Sequence, residues 1–269
     1  LDTSRGIEWA RWCVGGTTNI VLNCLDRHRG TPVWDQPFLV WEGEDPKNRK
    51  SLSYREFDAE VCRLAGALQS LGIGRGDRVG LYLPNLPETF VAFFAVLKIG
   101  AVLMPLFSGF GPQPIVARLN DGQAKAVLTV DGTWRRGTPG VMKSVLDEAL
   151  RETPSVQHVM VLRHLGEASP CPMTPGRDHD WASLVAAQPH DMPTAEMASE
   201  APAVLLYTSG TTGKPKGCIW THVSFLGSMV TRDMHICADF KQSDRFFFMS
   251  DMGWMVGAMC ACIPSYFGG

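Results

Sequence analysis

Between residues 53 and 162 short apolar runs alternate with amphipathic stretches at helical spacing, and that alternation leaves few folds open. Ser53-Tyr54-Arg55-Glu56 has the spacing of a capping box, in which a hydroxyl and a carboxylate satisfy the first free amides of a helix. Phe57, Val61, Leu64, Ala65, Leu68 and Leu71 then recur along one helical face, and Gly72 can supply the left-handed exit. The pattern continues with strands predicted at 78–83, 102–106, 126–130 and 156–162, and helices at 87–99, 115–121 and 141–151. Strands separated by helices of this length imply right-handed crossovers and a mostly parallel sheet with helices on both faces. Prolines at 170, 172, 175, 189 and 193 break up 164–200, which reads as a surface excursion with one short helix near 181–187. A further buried strand is expected at 203–207.

The composition supports a folded α/β domain, because 45% of the 269 residues are hydrophobic and 19% charged. A net charge of −2 excludes a general basic field, so neither nucleic acid nor an acidic membrane is an expected partner. Two long apolar stretches, 89–107 and 246–267, are assigned to the core, because glycines and prolines divide each into a helix and a strand of ordinary length. The eight cysteines form neither a CxxC pair nor a Cys/His ligand set, so no structural metal is expected. Nothing near the start has the pattern of a secretory signal, and the thiols are expected free and buried in a cytoplasmic protein.

The chemistry is concentrated after the strand at 203–207. Thr208, Ser209, Gly210, Thr211, Thr212, Gly213, Lys214, Pro215, Lys216 and Gly217 follow one another without interruption. Glycines let backbone amides approach oxygen atoms, hydroxyls donate further hydrogen bonds and lysines supply positive charge, which together suit a phosphate group. The loop is not of the Walker A type. That pattern needs Gly-Lys followed by Ser or Thr, and here Pro215 follows Gly213-Lys214.

The run from Tyr207 to Gly217 resembles the signature loop of the adenylate-forming superfamily, with Cys218 where valine is more usual. Asn23-Cys24-Leu25-Asp26-Arg27-His28, Phe107-Ser108-Gly109-Phe110, the helix containing Arg118, and Ser250-Asp251-Met252-Gly253-Trp254 resemble, in order, segments of its acetyl- and propionyl-CoA synthetase branch. The resemblance implies stacked, mostly parallel sheets. A first α/β subdomain would occupy 1–200, the phosphate loop and the start of a second subdomain 201–269, and a separate C-terminal domain would lie outside this chain.

It also implies an enzyme that makes an acyl-adenylate from ATP and a short carboxylic acid, with magnesium, and then transfers the acyl group to CoA. Thr208, Ser209, Gly210, Thr211, Thr212 and Gly213 would hold the β- and γ-phosphates, with Lys214 and Lys216 nearby. Lys216 could equally brace the loop. Trp254, Met255 and Val256 would line the acyl channel, and Phe107, Ser108 and Gly109 the pantetheine path. Arg135 and Arg136 would meet the 3′-phosphate of CoA, or simply be solvated. The aromatic-Gly-x-Thr-Glu motif, the ribose-binding aspartate and the adenylation lysine of the family do not occur in the sequence. No complete catalytic set and no metal-ligand set is therefore assigned to this chain, and it is expected to be inactive alone. Two alternatives are a stand-alone nucleotide- or CoA-binding module and a non-enzymatic scaffold that keeps the loop.

Overall fold

The computed structural model describes residues 1–208, 215–247 and 249–267; the side chains of 228–232, 255 and 258–260 lie outside the description. The chain enters through a two-residue strand β1 (Thr17–Thr18) and helix α1 (Ile20–Cys24), which Asn19 caps by accepting from Val21 N. The antiparallel hairpin of β2 (Pro37–Glu42) and β3 (Arg49–Ser53) then delivers Ser53 to its helix. Both halves of the expected capping box form, and α2 runs over Tyr54–Ser70 before Gly72 turns the chain at φ 72°.

The strands that follow build one seven-stranded sheet. They are β4 (Arg78–Tyr82), β5 (Val102–Pro105), β6 (Ala126–Val130), β9 (His158–Leu162), β10 (Asp178–Asp180), β12 (Pro202–Thr208) and β13 (Lys216–Thr221). Two short strands, β7 (Gly132–Arg135) and β8 (Thr138–Val141), intervene as a separate hairpin, and β11 (Met197–Ala198) pairs with β1. The sheet order is β10-β9-β6-β4-β5-β12-β13, parallel except at the β12–β13 pair. Residues before and after 200 share this sheet, since β12 pairs with β5.

Prolines at the first turn start α3 (Pro87–Lys98) and α4 (Pro112–Asp121), where the missing N–H costs nothing. From β4 the chain crosses by α3 to β5 on one side, then by α4 back past β4 to β6 on the other. Right-handed crossovers in opposite directions place these helices on opposite faces. Helix α5 (Lys143–Leu150) packs beside α4, and α6 (Trp181–Ala186) beside α2.

Two differences from the sequence reading have clear causes. Val141 was expected to start a helix but ends β8, because Arg136 and Gly137, both at positive φ, close a tight hairpin there. The excursion at 164–200 contains the edge strand β10, a polar Asp-His-Asp run that alternation cannot reveal. It is fastened by charge: Lys143, itself buried, reaches Asp147 at 2.7 Å and Asp178 at 2.8 Å, and Arg177 bonds both carboxylates. Burial pushes the Asp178 carboxyl up, but the Arg177 and Lys143 hydrogen bonds outweigh it and hold the group below the usual range.

Of the two apolar stretches, 89–107 is core, with Phe93, Phe94, Val96 and Leu103 fully buried. The second is core only in part. Met252, Ala261, Cys262 and Ile263 are buried, while Phe247, Met249 and Trp254 are exposed. Among the described cysteines, all free, Cys24, Cys62 and Cys262 are buried, whereas Cys13, Cys218 and Cys237 face solvent. No helix among the described residues is long and apolar enough to cross a membrane.

Candidate functional site

Because α3 and α4 leave in opposite directions, a crevice opens beyond the C-terminal ends of β4 and β5, the position where open α/β sheets bind ligands. Asn85, in the loop after β4, donates to Ser250 O at 2.7 Å and accepts from Met252 N at 3.3 Å, docking the 250–254 segment onto the crevice. Gly253 then lies against the loop after β5 so closely that a Cβ would fall 2.3 Å from Phe107 N and Cα. Only glycine permits that approach.

The contact brings two separated candidate groups together. The Phe107 and Trp254 rings lie 5.6 Å apart, with half of Trp254 exposed. Asp251 accepts from Gly253 N at 2.7 Å and from the Ser108 hydroxyl at 2.5 Å. Arg135, the last residue of β7, donates to the same hydroxyl at 3.1 Å. Arg136 is instead in the hairpin turn and points to solvent. Gly109 follows Phe107 tightly, and a Cβ there would meet the Phe107 ring at 2.6 Å. Val256 is partly exposed on α7 (Met255–Phe267); the Met255 side chain lies outside the described residues.

The second candidate group sits at the same edge of the sheet, because β12 runs parallel to β5 and ends at Thr208. Thr208 pairs across to the exposed Lys216 in β13. Ser209, Gly210, Thr211, Thr212, Gly213 and Lys214 lie outside the described residues. What anchors the approach to this loop is clear. Tyr207 donates to Asp121 at 2.7 Å, and the Arg118 guanidinium lies 4.3 Å from the Phe110 ring and 5.7 Å from the Tyr207 ring. Arg118, with burial depressing its pKa, thus ties the loop after β5 to the strand carrying the polar loop. His222, just past β13, is fully buried, and its Nδ1 accepts from Ile20 N at 3.2 Å.

The Asn23–His28 segment turns out to do structural work. Asp26 and the neighbouring Arg29 join a buried ion network with Asp58 and Lys98, described below. Two groups at the crevice carry no role in the sequence reading. Asn85 stands in a Pro-Asn-Leu-Pro run after a strand, whose only local signal is that of a loop, and the partner of Asp251 lies far away in sequence.

Cavities among the described residues lie on either side of the crevice's position in the sheet. One of about 400 Å³ is at the opposite, N-terminal strand ends, beside Arg78, Gly100 and Ile219, and is remote from the crevice. The other, about 570 Å³, adjoins the crevice between the two hairpins, and Glu42, Glu44 and Asp45 on its wall make it a poor place for phosphate. Among the described residues no three His, Cys, Asp or Glu side chains converge as metal ligands.

A doubly wound, mostly parallel sheet with a switch-point crevice, and a hydroxyl- and lysine-rich sequence joining β12 to β13, is the architecture of an adenylate-forming N-terminal domain. The AMP-binding enzyme family matches residues 26–269, and the chain belongs to that family. It is 43% identical over 250 residues to an acetyl-coenzyme A synthetase of Syntrophus aciditrophicus (strain SB), covering 92% of this chain and 38% of the relative. It is 41% identical over 261 residues to an acetyl-coenzyme A synthetase of Mycobacterium tuberculosis (strain ATCC 25618 / H37Rv), covering 96% and 39%. Among solved structures, acetoacetyl-CoA synthetase from Streptomyces lividans superposes with a TM-score of 0.83 at 28% identity, over 94% of this chain and 37% of that one. The chain thus spans about two fifths of the length of these relatives.

Proposed function

We propose that this chain is the N-terminal portion of an ATP-dependent acyl-CoA synthetase acting on a short carboxylic acid in the cytoplasm. The observation that carries the reading is that the loop after β5 and the 250–254 segment meet at the edge of the sheet where β12 ends at Thr208, opposite Lys216 of β13. In the first reaction a carboxylate oxygen attacks the α-phosphorus of ATP and pyrophosphate leaves. In the second, the CoA thiol attacks the acyl carbonyl carbon and AMP leaves. The first step brings like charges together, so the contribution expected of the protein is electrostatic.

Thr208, Ser209, Gly210, Thr211, Thr212 and Gly213 would hold the phosphates, with Lys214 and Lys216 offsetting their charge. Trp254 and Val256, with Met255, would wall the acyl channel. Phe107 and Gly109 would line the pantetheine path, and Arg135 would meet the anionic end of CoA. Arg136, out in the turn, is the weaker candidate for that role. Residues 201–269 would begin a second subdomain, and the C-terminal domain of the same polypeptide would be the partner that completes the site.

ATP–pyrophosphate exchange with acetate and propionate tests this. The chain alone should give none, and the same chain extended by the rest of its polypeptide should give exchange. Robust exchange by the chain alone would overturn the partial-enzyme reading. Calorimetry with ATP, magnesium and CoA separates a binding domain from a scaffold, which should release no heat.

A further inference from the structure

The hydrogen bonds around Ser108 have a direction that assigns them a purpose. A serine hydroxyl has one proton to give, and Ser108 gives it to Asp251 Oδ2 at 2.5 Å. Towards Arg135 it can therefore only accept, which it does at 3.1 Å. Asp251 is held in turn by Gly253 N at 2.7 Å and, at 3.5 Å, by Ser108 N. Arg135 is thus oriented by a neutral oxygen, and among the described residues no carboxylate forms an ion pair with it. A direct Asp–Arg pair would have fixed the guanidinium equally well but cancelled much of its charge.

We infer that Asp251 and Ser108 are positioning residues that aim Arg135 over the crevice while leaving its positive charge available to an anionic ligand. The inference rests on the reading that CoA, whose nucleotide end is anionic, enters this crevice. Ser108, which is buried, acts through Arg135 more than by touching the ligand. The 250–254 segment gains a second role, because its docking on Asn85 places Asp251. Any movement of that segment is transmitted to the arginine.

Two measurements on the chain as it stands keep the relay and the ligand distinguishable. The first needs no ligand: phenylglyoxal labelling of Arg135 followed by mass spectrometry, with Arg136 as internal reference. Ser108→Ala should speed labelling of Arg135 several-fold and leave Arg136 unchanged, and Ser108→Thr should restore the original rate. Equal rates at Arg135 in Ser108→Ala and the parent overturn the relay, whatever CoA does. The second is CoA affinity by calorimetry in Ser108→Ala, Arg135→Ala and the double variant. Ser108→Ala should weaken binding about tenfold, and adding it to Arg135→Ala should cost nothing more. Additive losses overturn the relay. A labelling change in a chain that binds no CoA supports the relay and removes CoA as its ligand.

Discussion

The two ends of the central sheet are finished to different degrees. From α2 to β9 nearly every inward side chain is fully buried, and even the charged residues there have partners. Beyond β12 the chain leaves Ile219, Ile236, Phe247 and Met249 in solvent, and β13 is an edge strand that, among the described residues, pairs with β12 alone. The first region has the packing of a self-sufficient core. The second leaves large apolar side chains exposed, in a chain that spans about two fifths of the length of its relatives. The contrast teaches that the packing that fixes the crevice comes from one half, whereas the groups proposed to work there come from both: Phe107, Gly109 and Arg135 from the packed half, and Lys216, Trp254 and Val256 from the open one.

The most severe test of this contrast is Lys98, at the end of α3. Its ammonium is fully buried, 3.4 Å from Asp26 and from Asp58, and donates to Thr194 at 3.0 Å. Arg29 bonds the other oxygen of Asp58 at 2.5 Å and also reaches Asp191. Burial pushes the Asp58 carboxyl up, against the pull of Lys98 and then Arg29. Replacing Lys98 by Met should strand buried carboxylate charge and cost roughly 3–5 kcal/mol in urea unfolding. Adding Asp58→Asn should recover part of that loss. A cost under about 1 kcal/mol would mean that the network is peripheral and the first region less tightly determined than its packing implies.

How much of this could be read in advance depended on whether the signal was local. The capping box of α2, the left-handed Gly72 and the alternation of strands and helices are written within a few residues and formed where expected. Strand β10 was invisible because its three residues are polar and its first, Asp178, is held by an ion network drawn from α5 and a neighbouring loop. The β7–β8 hairpin was missed because Arg136-Gly137 is a less usual turn than Asn-Gly. In the candidate site, the chemistry of the polar loop was legible from its composition. The arrangement of Asp251, Ser108 and Arg135 was not, because its central bond joins residues 143 apart in sequence.

His222 tests the junction between the two regions. Its Nδ1 accepts from Ile20 N, so the neutral ring carries its proton on Nε2, which is buried and has no partner among the described residues. Burial alone drives its pKa down from 6.5 to about 4. The folded state therefore favours the neutral ring, and its stability is complete above pH 6.5. Between pH 6.5 and 4 the unfolded chain binds the proton more readily, and stability falls as the solution is acidified. The full loss is about 3 kcal/mol. His222→Asn, whose side-chain oxygen can take over the bond from Ile20 N, should flatten this part of the stability profile in urea titrations from pH 7 to 4. An unchanged slope would show that other groups govern acid sensitivity and that the junction is looser than its burial suggests.

The smallest expected effect sharpens the contrast most directly. Phe247 and Met249 are 85% and 86% exposed, so replacing both with Ser removes apolar surface that folding never buried. The change in unfolding free energy should stay within about 0.5 kcal/mol, while concentration-dependent self-association should decrease. A truncation of the fully buried Phe94 to Ala, in the packed half, should by comparison cost about 3–5 kcal/mol. If the two exposed substitutions were instead to cost as much as the buried one, these side chains would already be covered in solution. The open half would then have found a partner surface, either within the chain or in a second copy, and sedimentation of the parent against the double variant would tell which.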